Sequence, residues 1–383
     1  MGAVLSARAS RALLSGAAGV AATVAGVAIY LPRVVLGDPS AVNVTGALLA
    51  IAGIALLSLM VRIVFGGRRP LVKALAIPLV LALVQWVVVP AVGAALATNT
   101  PRPAVAAAGR LAIPGARDVA FHAADGVRLA GWYAPGRTGA AIILAHGSHG
   151  DRGDTLAHLR VVSRAGYAVL AYDARGHGRS AGRTNALGWQ GADDVAGAVG
   201  FLRRQAGVDP SRIAVLGLSM GGEEALRAAA AGVPLSAVIA DGAGASTSGD
   251  HRLIPAGALT PIDVSSTWLM MRLVERISAT EEPAPLKDIV SRIRVPVLLI
   301  ASNRSGERTI DLAFRRRIGG HAALWNVGDA RHTGALRRHP AEYARRVVAF
   351  LRGAGHAGVD DGPGSARRSP ESRRRLVLRR PAS

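Results

Sequence analysis

The chain has 383 residues and a formal net charge of +21; half of the residues are hydrophobic, only 4% are aromatic, and none is cysteine. The absence of cysteine excludes disulfides, thiolate nucleophiles and metal–thiolate sites. The charge does not indicate nucleic-acid binding, because the arginines are dispersed and no nucleic-acid-binding motif is present. Their densest run, from Arg367 to Arg380, is suited to loose attraction to anionic headgroups or polyanions.

Three uncharged apolar stretches open the chain, over 12–31, 41–61 and 74–97. Each has about the twenty residues that an α-helix needs to cross a bilayer. None has a polar face, which favours membrane-spanning helices over a buried bundle in a soluble protein. The first stretch also resembles a signal peptide, but its apolar run is long and two more stretches follow it.

Basic residues in the short connections orient these stretches. Arg8 and Arg11 precede the first, and four basic residues lie in 62–73, between the second and third. The connection between the first and second holds Arg33, which is offset by Asp38. The positive-inside rule therefore predicts a multi-pass membrane protein whose chain after residue 97 lies outside the cytoplasm.

Beyond a Pro-containing linker at 99–114, the sequence alternates between strand-like and helix-like segments. Asp125-Gly126 predicts a leading hairpin. Predicted strands cover 118–123, 127–134, 140–145, 167–172, 213–216, 235–240, 295–300 and 322–327, and predicted helices include 155–165, 192–205, 223–231 and 342–352. This order predicts an α/β domain at 115–355 with a doubly wound, mostly parallel sheet. It follows an all-α membrane region at 1–98 and precedes a basic disordered tail at 356–383.

One motif carries the chemistry: Gly217-Leu218-Ser219-Met220-Gly221-Gly222. The pattern alone is weak in a chain with 46 glycines, and a simple Gly-Ser turn is the alternative. Here, however, a predicted strand enters the motif and good helix formers follow it. That context predicts a nucleophile elbow, in which a strained turn raises the Ser219 hydroxyl above the sheet.

With these features the sequence resembles the α/β-hydrolase family from about Gly115 to Gly355. The resemblance implies an oxyanion hole made by two backbone N–H groups, those of Met220 and of Ser148 in the loop after the third strand. It also implies that His332, in a glycine-containing loop after the last strand, is the general base.

The other histidines are assigned structural or solvated roles. His146 and His149 are expected to shape the loop around Ser148. The segment 173–178, which contains His177, resembles a structural loop of the same family. His321, His339 and His356 lie in or beside a helix, a strand or the tail.

The acid that completes the site is left open at this point. The family often places Asp where Ser305 stands in this chain. Glu307 is the carboxylate of that loop and the first choice, Asp241 at the end of the sixth strand is the rival, and Asp311 is third. A further alternative is that none of them serves, with Glu307 only salt-bridged to neighbouring arginines.

The expected function is a serine hydrolase that cleaves an acyl ester through an acyl-enzyme, without metal or organic cofactor. Trp268-Leu269-Met270-Met271 offers either an apolar pocket wall or ordinary helix packing. Together with the membrane, this favours small acyl substrates, including lipid-derived ones. Serine peptidase, thioesterase or acyltransferase activity on the same fold and a non-catalytic membrane-anchored binding module are the alternatives. Transport through the three spans lacks the intramembrane charge that it would need.

Overall fold

The computed structural model describes residues 84–100, 102, 104–254, 260–303 and 306–357, together with isolated positions before residue 84. The predicted spans 12–31 and 41–61, the first part of the span 74–97, and the tail beyond 357 lie outside these ranges. Ser305 is outside them as well.

An eight-stranded sheet forms the centre of the described fold, with strand order β1-β2-β4-β3-β5-β6-β7-β8. The strands are β1 Arg117–His122, β2 Arg128–Ala134, β3 Ala141–Ala145, β4 Ala168–Tyr172, β5 Ile213–Leu218, β6 Ala237–Asp241, β7 Val297–Ala301 and β8 Ala322–Asn326. The hairpin β1–β2 and the pair β2–β4 are antiparallel, and all other neighbours are parallel. The predicted doubly wound, mostly parallel sheet is confirmed.

Burial explains why these segments are strands. Each residue of β3, β4, β5, β6 and β7 is buried, so helices cover both faces of the central sheet. Parallel strands that are buried on both faces have continuous apolar sequences rather than alternating apolar and polar residues. The outermost strands β1 and β8 contain exposed positions, as expected at sheet edges.

Helices connect the strands and cover the sheet. They are α1 Val89–Thr98, α2 Leu156–Arg164, α3 Gly191–Leu202, α4 Met220–Ala230, α5 Ser248–His251, α6 Thr260–Ser278, α7 Leu286–Ile289, α8 Glu307–Ile318, α9 Ala335–Arg338 and α10 Pro340–Ala357. Two large apolar clusters fill the space between helices and sheet, one on each face. Because the strands are parallel, the loops at their carboxyl ends meet at one edge of the sheet, which is where this fold places its sites.

Helix α1 packs against the α/β region instead of standing apart from it. A short π-helix, Val84–Val88, leads into α1, and α1 lies along α6. A third apolar cluster joins these two helices to the segment around Trp189. Within the described ranges, no helix is both long and apolar enough to span a bilayer.

Candidate active site

Ser219 occupies a sharp turn between β5 and α4. Its backbone has φ 52° and ψ −117°, which a non-glycine residue rarely adopts. Its N–H donates to the carbonyl oxygen of Asp241 at 2.8 Å, which ties the turn to the end of β6. A Cβ on Gly217 would lie 2.0 Å from the Gly221 oxygen, and a Cβ on Gly221 would lie 2.4 Å from the Ala145 oxygen. The two glycines are therefore required by the close backbone approach.

Three side chains form a hydrogen-bonded line at this turn. His332 Nε2 lies 2.8 Å from Ser219 Oγ, and His332 Nδ1 lies 2.6 Å from Glu307 Oε1. His332 is in the loop after β8, and Glu307 is the first residue of α8. The other carboxylate oxygen of Glu307 accepts from the N–H and the hydroxyl of Ser302, at 2.9 and 2.8 Å. Glu307 is therefore held in one orientation, with one oxygen aimed at the imidazole.

The charges of Glu307 and His332 support each other. Burial alone would raise the pKa of Glu307, but hydrogen bonds from His332 and Ser302 outweigh it and lower that pKa below its usual value. Burial would likewise lower the pKa of His332, whereas the hydrogen bond and negative charge of Glu307 raise it above 6.5. The arrangement thus holds an ionised carboxylate against an imidazole that readily accepts a proton.

The rival carboxylates Asp241 and Asp311 do not bond to His332. Asp241 is buried at the end of β6, and burial, with the nearby charge of Glu307, raises its pKa to about 7. Asp311 lies one turn after Glu307 on α8, and both of its carboxylate oxygens are buried without a hydrogen-bond partner. Burial, followed by the charges of Glu307 and Asp241, raises the pKa of Asp311 well above its usual value.

The two residues proposed as N–H donors are Met220, directly after Ser219, and Ser148, in the loop after β3. Met220 is the first residue of α4, and the first N–H groups of a helix have no carbonyl partner within it. Ser148 follows Gly147, where an added Cβ would be 3.3 Å from the Cβ of Ser219. The loop after β3 therefore passes close to Ser219.

Comparisons with known proteins agree with this architecture. A family model described as X-Pro dipeptidyl-peptidase, S15 family, matches residues 117–306. An esterase structure from Pyrococcus furiosus superposes with a TM-score of 0.55 at 23% identity, covering 66% of this chain and 97% of that one. The chain has the α/β-hydrolase fold. Together these matches support a hydrolytic enzyme.

Similar sequences also occur in bacteria. An uncharacterized protein of Mycobacterium tuberculosis is 32% identical over 194 residues, which is 49% of this chain and 62% of that protein. Uncharacterized protein YfhR of Escherichia coli is 36% identical over 117 residues, 29% of this chain and 40% of its own. The alignments thus span less than two thirds of the length of these relatives.

Two other histidines near the site, His146 and His177, lie in loops of this α/β-hydrolase fold and bond to backbone groups there. His146 Nε2 accepts from the N–H of Ala174 at 2.9 Å, and its Nδ1 donates to the Gly147 oxygen at 2.7 Å. Burial lowers the pKa of His177 to about 3, and its ring packs edge-on against His146 with centroids 5.0 Å apart. Neither imidazole bonds to Ser219.

The segment 173–178 is fixed by buried ion pairs. Asp173 accepts from Arg152 at 2.6 Å, and Arg175 donates to Asp194 at 2.6 Å.

His339 bonds to Asp329 at the surface, and His321 ends a short 3₁₀-helix before β8. His356 falls within α10. In the part of the chain that the structure describes, no group of three or more His, Asp or Glu side chains could hold a metal ion.

Two neighbours of the site were not found by sequence reasoning. Ser302, which anchors Glu307, carries no pattern that distinguishes it from other loop serines. The end of α1 also reaches the site, because His149 Nε2 donates to the Leu96 oxygen at 3.0 Å. A purely apolar stretch such as 74–97 gives no local sign of the loop that it will contact.

Proposed function

We propose that the chain hydrolyses an uncharged acyl ester, with Ser219 as nucleophile, His332 as general base and Glu307 as the acid that orients it. The observation that carries this proposal is the continuous hydrogen-bonded line from Ser219 through His332 to Glu307. Serine, imidazole and carboxylate in that order are the components of acyl transfer through a covalent intermediate.

Each residue has one task in the proposed mechanism. His332 Nε2 takes the hydroxyl proton as Ser219 Oγ attacks the carbonyl carbon, and Glu307 stabilises the imidazolium that forms. The negative oxygen of the tetrahedral intermediate accepts hydrogen bonds from the N–H groups of Met220 and Ser148. His332 then protonates the leaving alcohol, and the same groups direct water onto the acyl-enzyme.

The charges around Ser219 favour an uncharged acyl group over an X-Pro dipeptide. A dipeptidyl-peptidase must bind a positively charged amino terminus, which calls for a carboxylate at the site. Two carboxylates close to Ser219 in the fold are already engaged, while Asp241 and Asp311 are buried with raised pKa values and carry little negative charge. Glu223 accepts from the backbone N–H groups of Gly244 and Ser246, and Glu307 accepts from His332.

A pair of chromogenic substrates tests this proposal. We expect the full chain to hydrolyse p-nitrophenyl butyrate, and to cleave Gly-Pro-p-nitroanilide at least about 10²-fold more slowly in kcat/KM. Ser219→Ala should abolish the esterase activity. Ser148→Ala is the matched control and should retain most of it, because the proposed donor is the backbone N–H, which that substitution keeps. Faster cleavage of the anilide than of the ester would favour the peptidase.

The same proposal includes attachment to a membrane. The uncharged stretches 12–31, 41–61 and 74–97 are long enough to anchor the chain, and the basic residues beside them favour a hydrolase region outside the cytoplasm. A multi-pass anchor would hold the site within reach of acyl substrates in or near the bilayer.

A further inference from the structure

Helix α1 and the π-helix before it have the reverse polarity of a surface helix in a soluble protein: the outer face is apolar. Their polar groups bond to the neighbouring helix α6: Gln85 Nε2 donates to Ser266 Oγ at 3.1 Å, and Trp86 Nε1 donates to Ser265 Oγ at 2.8 Å. Their outward positions are apolar, with exposed fractions of 53% for Val87 and 37% for Val89. A helix with polar groups on its protein side and valines outside is typical of contact with lipid.

The neighbouring helix α6 extends this apolar surface. Trp268 is 52% exposed and lies one turn after Ser265, the residue that Trp86 contacts. Of the five exposed large hydrophobic side chains described from residue 84 onward, four belong to this surface, and Ile277 lies on the opposite side of α6. Such a concentration marks an interaction surface. Trp86 bonds to Ser265, one turn before Trp268, and an indole ring with a bonded N–H presents an apolar face that suits contact with lipid.

The chain before this surface identifies its occupant. Residues 74–97 contain no charged side chain, so the surface continues directly into an uncharged apolar sequence. A second copy of the chain would not account for that continuity, whereas a bilayer accounts for both the sequence and the surface.

The surface is connected to the candidate active site. Ten residues of helix separate Trp86 from Leu96, a rise of about 15 Å, or half of a hydrocarbon core of roughly 30 Å. The Leu96 oxygen accepts from His149, in the loop whose Gly147 lies against Ser219. The nucleophile therefore lies close to the end of α1, within about the length of one lipid leaflet from the tryptophans.

We infer that Trp86, Val87, Val89 and Trp268 contact a bilayer, and that the site takes an acyl ester resident in that bilayer. The substrate half of this inference rests on the proposed function, but the surface half does not. Helix α1 runs from the bilayer contact to Leu96, and loop 146–150 connects Leu96 to Ser219, where the ester carbonyl is attacked.

Tryptophan fluorescence tests the surface without any activity assay. The chain has five tryptophans, and Trp132 and Trp189 are only 2% and 5% exposed. In proteoliposomes, brominated phosphatidylcholine should quench the emission relative to the unbrominated lipid. Trp86→Phe with Trp268→Phe should abolish most of that quenching and still leave an apolar surface. Trp325→Phe is the control and should leave the quenching intact. Unquenched wild-type emission would overturn the inference.

Two esters test the substrate class. Trp86→Ser with Trp268→Ser should lower the rate on a long-chain ester embedded in vesicles by about tenfold, because less apolar surface is buried in the bilayer. The rate on soluble p-nitrophenyl butyrate should change by less than about twofold. Ile277→Ser, which removes an exposed side chain from the opposite side of α6, should alter neither rate.

The outcomes separate the two proposals. Equal losses on both esters, or no loss on either, would contradict a bilayer-resident substrate. Quenching without hydrolysis of either ester by the wild-type chain would overturn the proposed function and the substrate assignment, while supporting the surface. Absent quenching with a crosslinked dimer through Trp268 would assign the surface to a second copy.

Discussion

The carboxylate that orients His332 is the residue on which the electrostatics of the site depend. Glu307 raises the pKa of His332 above 6.5, although burial acts in the opposite direction. A general base works only when neutral, so kcat/KM should fall as the pH falls through a midpoint above 6.5. In Glu307→Gln burial remains while the carboxylate charge is lost, and that midpoint should move to lower pH.

Glu307→Gln should also lower kcat by about 10²- to 10⁴-fold in the pH range where kcat no longer rises with pH. The reason is that an amide cannot stabilise the imidazolium. Asp241→Asn is the matched comparison. His332 bonds to Glu307 and Ser219 and not to Asp241, so Asp241→Asn should lower kcat far less than Glu307→Gln. The loss of kcat in each variant is measured from its steady-state pH profile. A crippled Asp241→Asn beside a nearly unaffected Glu307→Gln would assign the acid to the end of β6.

At the residue scale, the sequence motif predicted Ser219 without an alternative serine but did not decide among the carboxylates. The choice of Ser219 followed from a local pattern of strand, glycines and helix. The partner of His332 depends on which loop folds back across the sheet edge, and no spacing in the sequence encodes that distance. Hydrogen bonds from Ser302 orient Glu307, and they form only when the loop after β7 is in place.

Helix α4 shows how a functional turn limits the sequence of an element. Its predicted start was residue 223, but it begins at Met220. Gly221 and Gly222 are poor helix formers, and they hid the first turn. They are there because the helix passes very close to the neighbouring backbone.

This close approach predicts a large effect of adding one methyl group. Gly221→Ala would place a Cβ 2.4 Å from the Ala145 oxygen, which is backbone and cannot move aside. We expect a loss of about 3 kcal/mol or more in the free energy of unfolding. Gly353→Ala is the control: it also lies in a helix but has no atom within 4 Å of the added Cβ. It should be neutral or stabilising by up to about 1 kcal/mol. Equal denaturant midpoints for the two variants would contradict the packing described for the elbow.

For the whole molecule, the sheet was predictable and the position of the N-terminal helix was not. Strands buried on both faces are apolar along their whole length, so all eight could be located from composition and turn residues. The stretch 74–97 was expected to belong to a separate membrane region, yet its described part packs along α6. An apolar pattern identifies a buried surface without specifying whether lipid or protein covers it.

The orientation of the chain is a prediction at this scale. By the positive-inside rule, the basic residues in 62–73 favour a cytoplasmic position for that connection and the opposite side for the hydrolase region. Protease added to intact spheroplasts should therefore digest the hydrolase region, while a cytoplasmic marker protein stays protected. Protection of the hydrolase region until lysis would reverse the orientation.

The most direct test of the central claim is covalent labelling of the full chain with a fluorophosphonate, followed by mass spectrometry of the digested protein. Such a probe reacts with a serine only when a neighbouring base and an oxyanion hole activate it. The account predicts one adduct, on Ser219, that is absent in Ser219→Ala and at least about 10³-fold slower to form in His332→Ala. An adduct on another serine, or labelling that persists in Ser219→Ala, would contradict it.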